Sequence, residues 1–463
     1  MNFISVSFAL FFAAVLLLLK EFPNQKTQQI LLLCASYVFY AAWDWRFLAL
    51  LAGISAAVWY LGGRIHRTDS KSALTVGVVL CVGCLGLFKY FNFFLDSFCA
   101  LLHISSGTIQ VILPLGLSFY IFQAVSYLCD VKNKKIPAAS LPEVLLYIGF
   151  FPQIVSGPIV KARDFLPQLQ RSHSITGENL SAGLQLFAVG MFKKVVIADR
   201  LGVCVDAVFS APVAYSGLSL CVAVMAYAVQ IYCDFSGYSD MAIGIARCMD
   251  FDLGRNFNMP YLAKNPSDFW RRWHISLSSW FRDYVYIPLG GSRNGAWRTY
   301  RNLFLTMLLS GLWHGANWTF LVWGAFHGIA SMLHKAYVDF RKKHGPALRT
   351  GRLTELVSMM LNTLLVCLLW IPFRADQLSD AWMILCRIVT MADGIAYYYT
   401  YAVAFGLLML AVNLLAWWKN DGNALWKPLD LRKFTAKVIF CVFLILIFLF
   451  AYIGDSAFLY AQF

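Results

Sequence analysis

Charge is what this sequence has least of. Asp, Glu, Lys and Arg make up 13% of its 463 residues, about half the share usual in soluble domains. So few polar groups do not cover the core of a water-soluble fold of this size. Soluble enzyme, disordered chain and disulfide-stapled secreted domain are all excluded. Absent too are a 20–50-residue repeat, a Gly/Ser or charged linker, and any Walker loop, HExxH, GxSxG or dinucleotide fingerprint in a suitable context. The twelve cysteines lie mostly inside apolar segments. Their one close pair, Cys81 and Cys84, has no second pair or nearby histidine to complete a metal site, so these residues read as helix packing and no metal is expected. Residues 3–19 lack a basic n-region and a convincing cleavage site, and read as a retained helix.

Hydrophobicity fills the gap, at 60% of residues, with 16% aromatic. Apolar runs of membrane-spanning length recur at 3–19, at 218–232 with its flanks, at 395–417 and at 438–453. The expected fold is an all-α polytopic membrane protein, one domain over residues 1–463, with about eleven transmembrane helices plus re-entrant or interfacial pieces. The segment 150–158 carries Pro152, Gly157 and Pro158, so it breaks rather than spans.

The net charge of +14 would suggest nucleic acid on a soluble protein. Here the basic residues gather in a few connections, 64–71, 132–135, 255–301, 335–352 and 419–433, as the positive-inside rule requires. No nucleic-acid partner is expected; membrane lipids are. Placing those connections in the cytoplasm puts both termini outside, including a short tail at 454–463.

Two of the eight histidines stand out. His314 lies in Ser310-Gly-Leu-Trp-His-Gly-Ala-Asn-Trp318, at the tip of a helical hairpin, with Asn317 as the N-cap of the second helix. An imidazole in an apolar setting is costly and marks a functional site. His274 lies in Asp268-Phe-Trp-Arg-Arg-Trp-His-Ile-Ser-Leu-Ser278, where Arg271 and Arg272 beside Trp270 and Trp273 make either an amphipathic interfacial helix or an anion site for a phosphorylated donor. His327 reads as packed, and His66, His103, His173, His334 and His344 as solvated. Asp234 and Asp240 read as structural carboxylates, paired with the arginines of 268–282 or orienting an imidazole.

These motifs resemble the membrane-bound O-acyltransferases, specifically the bacterial branch of alginate and peptidoglycan O-acetyltransferase membrane subunits, with teichoic-acid D-alanyltransferases as relatives. The matching stretches are Ala35-Ser-Tyr-Val-Phe-Tyr40, Phe150-Phe-Pro-Gln-Ile-Val-Ser-Gly-Pro-Ile159, the run 230–244 around Asp234 and Asp240, Phe269-Trp-Arg-Arg-Trp-His-Ile-Ser-Leu-Ser278 and Gly311-Leu-Trp-His-Gly315. The resemblance implies helices around a central tunnel and acetyl-CoA as cytoplasmic donor. It puts the family histidines on His314 and His274. The ending Ser456-Ala-Phe-Leu-Tyr-Ala-Gln-Phe463 is similar to that branch's Phe-x-Tyr-Phe tail, with Ala461 in place of the second phenylalanine. That makes Tyr460 either an acyl carrier or an interfacial anchor. No Ser-His-Asp arrangement occurs here, so an extracytoplasmic polysaccharide acetyltransferase with a serine nucleophile is the implied partner. Competing readings are a transporter or flippase of an acylated carrier, and a D-alanyl or lipid acyltransferase of the same superfamily.

Overall fold

The computed structural model describes residues 1–104, 112–345, 351–397, 399–419, 427–452 and 454. Among these residues the regular elements are all helical, and the only β contact is an isolated bridge between Tyr215 and Ile395. Six stretches are long and apolar enough to cross a bilayer: Gln25–Thr68, Lys71–Leu101, Gly177–Ser210, Gly217–Cys248, Arg352–Arg374 and Thr400–Trp418. The chain is a multi-pass membrane protein. The expected total of about eleven counts further helices as spans. Val6–Glu21 and Phe434–Phe450 are apolar but only 16 and 17 residues long, and Ala296–His314 opens with Arg298 and Arg301. Side chains that would be a liability in water, such as Phe448 at 83% exposure, are what lipid solvates.

The chain forms two bodies, Met1–Met191 with Tyr238–Gly254 and Pro428–Phe440, and Phe192–Gly237 with Arg255–Lys427 and Cys441–Phe463. In the first, α1 (Leu48–Thr68) and α2 (Lys71–Leu85) pack on α3 (Leu117–Lys132), which is buried along nearly its whole length. The segment 151–161 is indeed turns and extended chain rather than helix. Protein groups serve its backbone in place of lipid. Phe151 N–H donates to Ser36 Oγ (3.2 Å), Tyr147 Oη donates to the Val160 carbonyl (2.9 Å), and Gly157 N–H closes on the Gln153 carbonyl (3.1 Å). One histidine differs from expectation here. His173 is buried, stacked on Phe251 at 3.8 Å with Nδ1 3.2 Å from the Asp250 carbonyl, and burial pushes its imidazole below the usual range.

In the second body, α4 (Ala296–His314) and α5 (Trp318–His344) form the expected antiparallel hairpin, with Asn317 Oδ1 capping Thr319 N–H at 3.1 Å. Its seam is made by glycines. A Cβ on Gly324 would stand 2.6 Å from the Met307 carbonyl oxygen and 3.0 Å from Gly311 Cα. One on Gly311 would strike the Phe320 carbonyl. The helices touch backbone to backbone, which small residues alone permit. Gly324→Ala must therefore push the helices apart, at about 1–3 kcal/mol. The expected result is a lower unfolding temperature in detergent together with lost activity; an unchanged unfolding temperature would show that the seam is not tight.

Candidate active site

The second body gathers three imidazoles into one aromatic cluster. His314, the last residue of α4, is 2% exposed, with ring centroids 4.9 Å from Trp313, 5.0 Å from Trp323 and 5.2 Å from Phe373. Trp313 also faces His274 at 6.1 Å, so the two histidines singled out from the sequence share an indole between them. Trp323 in turn lies 4.8 Å from His327, which Trp270 closes from another side at 5.0 Å. Phe373 and Trp370 come from α6 (Arg352–Arg374), packed on α5. Rings on this scale exclude water and lower the local dielectric.

His274 does not sit in a continuous amphipathic helix. A short helix, Pro266–Trp270, ends at the turn 271–274, and His274 takes left-handed backbone (φ 41°, ψ 58°) before the helix Ile275–Phe281 begins. The turn drives Trp273 and the imidazole inward; both are at most 1% exposed. Asn256 then fixes the ring. Its Oδ1 accepts from Ser276 N–H (3.2 Å) and Ser276 Oγ–H (2.9 Å), which identifies that atom as the amide oxygen. His274 Nδ1, 3.2 Å from the same oxygen, must therefore carry the proton, leaving the lone pair on Nε2. His274 belongs to the connection between spans, and burial pushes its pKa down to about 3, so it is neutral at physiological pH.

Arg271 and Arg272 diverge from that turn. Arg272 is engaged, its Nε 3.1 Å from Asp268 Oδ1 and its Nη1 donating to the Asn258 carbonyl at 3.3 Å. The Arg271 side chain is 71% exposed, with Asp268 at 3.7 Å. Asp234 is a structural carboxylate as expected, but its cation is Lys194 rather than an arginine of 268–282. Lys194 Nζ lies 2.6 Å from Asp234 Oδ1 and 2.7 Å from Asp199 Oδ1, with all three side chains buried. Lys194 is brought alongside by the π-helical turn Phe192–Ala198. The neighbour of Asp234, Phe235, meets the His274 ring edge-on at 4.6 Å, so the ion cluster also braces the imidazole. Tyr460 lies outside the described residues.

Against known proteins, the model of MBOAT, the membrane-bound O-acyltransferase family, matches residues 112–350, just over half of the chain. The chain belongs to the membrane-bound O-acyltransferase family. It is an acyltransferase, and the match encloses the whole of 256–327, where the three imidazoles and Asn256 lie. Among its relatives, the probable alginate O-acetylase AlgI of Azotobacter vinelandii is 40% identical over 407 residues, covering 85% of this chain and 79% of that protein. The peptidoglycan O-acetyltransferase of Helicobacter pylori is 36% identical over 393 residues, 78% and 74% of the two chains. The teichoic acid D-alanyltransferase of Bacillus subtilis is 28% identical over 271 residues, 55% and 66%.

Sequence reading missed Asn256, which sits in an irregular stretch with no periodicity to mark it. His327 is packed as expected, and Trp323 lies against both it and His314. The Trp-rich spacing around 270–273 and 313–323 was the available signal.

Proposed function

We propose that this enzyme moves an acetyl group from cytoplasmic acetyl-CoA across the inner membrane for O-acetylation of an exported or cell-surface polysaccharide. The observation that carries the reading is the pair of buried, aromatic-walled imidazoles, His314 and His274, inside the family-matched segment. Acetyl rather than D-alanyl transfer is supported by the greater likeness to O-acetylases, 40% identical over 85% of this chain against 28% over 55%. Both termini face outward in this reading, because the basic connections occupy the cytoplasmic side.

In the proposed reaction His314 acts as general base. It takes the proton of an attacking hydroxyl as that oxygen bonds to the thioester carbonyl carbon. The C–S bond then breaks, and the imidazolium returns its proton to the departing thiolate. The first acceptor is the Tyr460 phenol. Thiol (pKa ~8.5), phenol (pKa ~10) and the still less acidic sugar hydroxyl form a series of worsening leaving groups, so the acyl group descends without ATP. An extracytoplasmic acetyltransferase with a serine nucleophile completes delivery to the glycan. The purified chain should release CoA thiol from acetyl-CoA in a thiol-reagent assay. A transporter of a preformed acylated carrier would release none.

His274 and Arg271 face the donor in this scheme. Arg271→Gln is expected to raise KM for acetyl-CoA several-fold with kcat little changed, since a solvated arginine contributes binding rather than chemistry. His274→Ala should act in the same sense. Asn256→Ala, which releases the imidazole tautomer without removing the ring, should reproduce part of the His274→Ala effect. If kcat falls and KM holds in His274→Ala, the residue belongs to the chemical step.

A further inference from the structure

Outside the imidazole cluster, the first body holds a cavity of about 670 Å³ between the α1–α2 connection and the chain leaving α3. Arg67, Asp69, Lys134 and Lys135 line it over an apolar floor that includes Ile65 and Ile136. Lys132 ties the two connections together, its Nζ 2.6 Å from both the carbonyl oxygen and Oδ1 of Asp69. This ion pair holds the Asp69 carboxyl below the usual carboxylate range. A second nearby carboxylate, Asp130, is approached by Lys135 (3.5 Å) and Arg163 (3.8 Å). The protein's own anions are thus engaged, while among the described residues Arg67 and Lys134 make no ion pair.

Basic residues at helix ends often do no more than offset the macrodipole, and both α1 and α3 end here. The magnitudes decide against that reading. Each helix end carries about half a negative charge. The cluster has six cations, Arg67, Lys71, Lys132, Lys134, Lys135 and Arg163, against three carboxylates, Asp69, Asp130 and Asp164, which pairs with Arg163 at 3.9 Å. The cavity is therefore positive. It also lies at a membrane surface, because Asp69 stands between the membrane-crossing stretches Gln25–Thr68 and Lys71–Leu101.

We infer that this cavity is a phosphate-binding site, with Arg67 and Lys134 as its ligands and an anionic phospholipid headgroup or a soluble phosphate compound as its occupant. The floor of Ile65 and Ile136 suits the apolar part of either. Lys134 offers a clean test. It is the left-handed residue of a Schellman ending (φ 57°), with Lys134 N–H on the Val131 carbonyl at 3.0 Å and Lys135 N–H on the Asp130 carbonyl at 2.9 Å. Glycine is the residue that backbone prefers, so Lys134→Gly removes the cation while easing the fold.

The full chain, Lys134→Gly and Arg67→Gln/Lys134→Gly would each be placed in nanodiscs of phosphatidylglycerol or phosphatidylcholine, and retained lipid read by native mass spectrometry, with and without inorganic phosphate. Preferential retention of phosphatidylglycerol by the parent, falling roughly thirtyfold in the double variant, assigns a lipid headgroup. Equal retention of both lipids, with inorganic phosphate bound by the parent and lost in the double variant, assigns a soluble phosphate compound. Identical behaviour of parent and double variant toward lipid and phosphate overturns the site. Unfolding temperature in phosphatidylcholine should be unchanged or raised in Lys134→Gly, separating lost binding from lost folding.

Discussion

His314→Ala should lower polymer acetylation by roughly 10²–10⁴-fold, the usual contribution of a positioned general base, while the chain still reaches the membrane in normal amount. The imidazole closes α4 between Trp313, Trp323 and Phe373. Truncation leaves a small void among large rings, and the glycine seam that holds the hairpin does not include this side chain. Stability should fall by a few kcal/mol at most. CoA release by the purified variant should fall in parallel with surface acetylation. If surface acetylation stays at the parental level, His314 is a packing residue and the base must be sought at His274 or His327. His314→Gln refines the test: it keeps a hydrogen-bonding side chain of similar reach but does not accept a proton, and so should be as inactive as alanine.

Tyr460→Phe is the second large effect expected. It keeps the aromatic ring and deletes only the hydroxyl, so an interfacial anchor is preserved and an acyl carrier is lost. Under the carrier reading the variant accumulates normally in the membrane and leaves the polymer unacetylated. Mass spectrometry of the parent enzyme incubated with acetyl-CoA should find one acetyl group on the C-terminal peptide, and none in the variant. Full activity of the variant would reduce Tyr460 to an anchor and leave direct transfer from thioester to acceptor as the route.

Much of this was legible before any coordinates. Asn317 capping the second helix of the hairpin and the break at Pro152 and Pro158 follow from local chemistry, since a side-chain oxygen near a helix start and missing N–H groups act within a few residues. The partner of Asp234 was not legible. Charge complementarity suggested the arginines of 268–282, yet Lys194, forty positions earlier, is brought beside it by the π-helical turn Phe192–Ala198. His173, in a basic connection, read as solvated and is buried against Phe251, because the connection folds inward onto a neighbouring ring.

The sequence by itself determined that the protein lives in a membrane, that it is helical, and which family its motifs belong to. Those properties reside in composition, in hydrophobic length and in motifs a few residues long. Only the tertiary structure decided that His274 and His314 meet through Trp313, that Asn256 sets the His274 tautomer, and that His327 belongs to the same cluster. The contacts that decide this join residues far apart in the chain, Asn256 with His274, His274 with Trp313 and Trp270 with His327, made when helices with no polar surface to spare pack ring against ring. Nothing in local periodicity encodes which ring finds which.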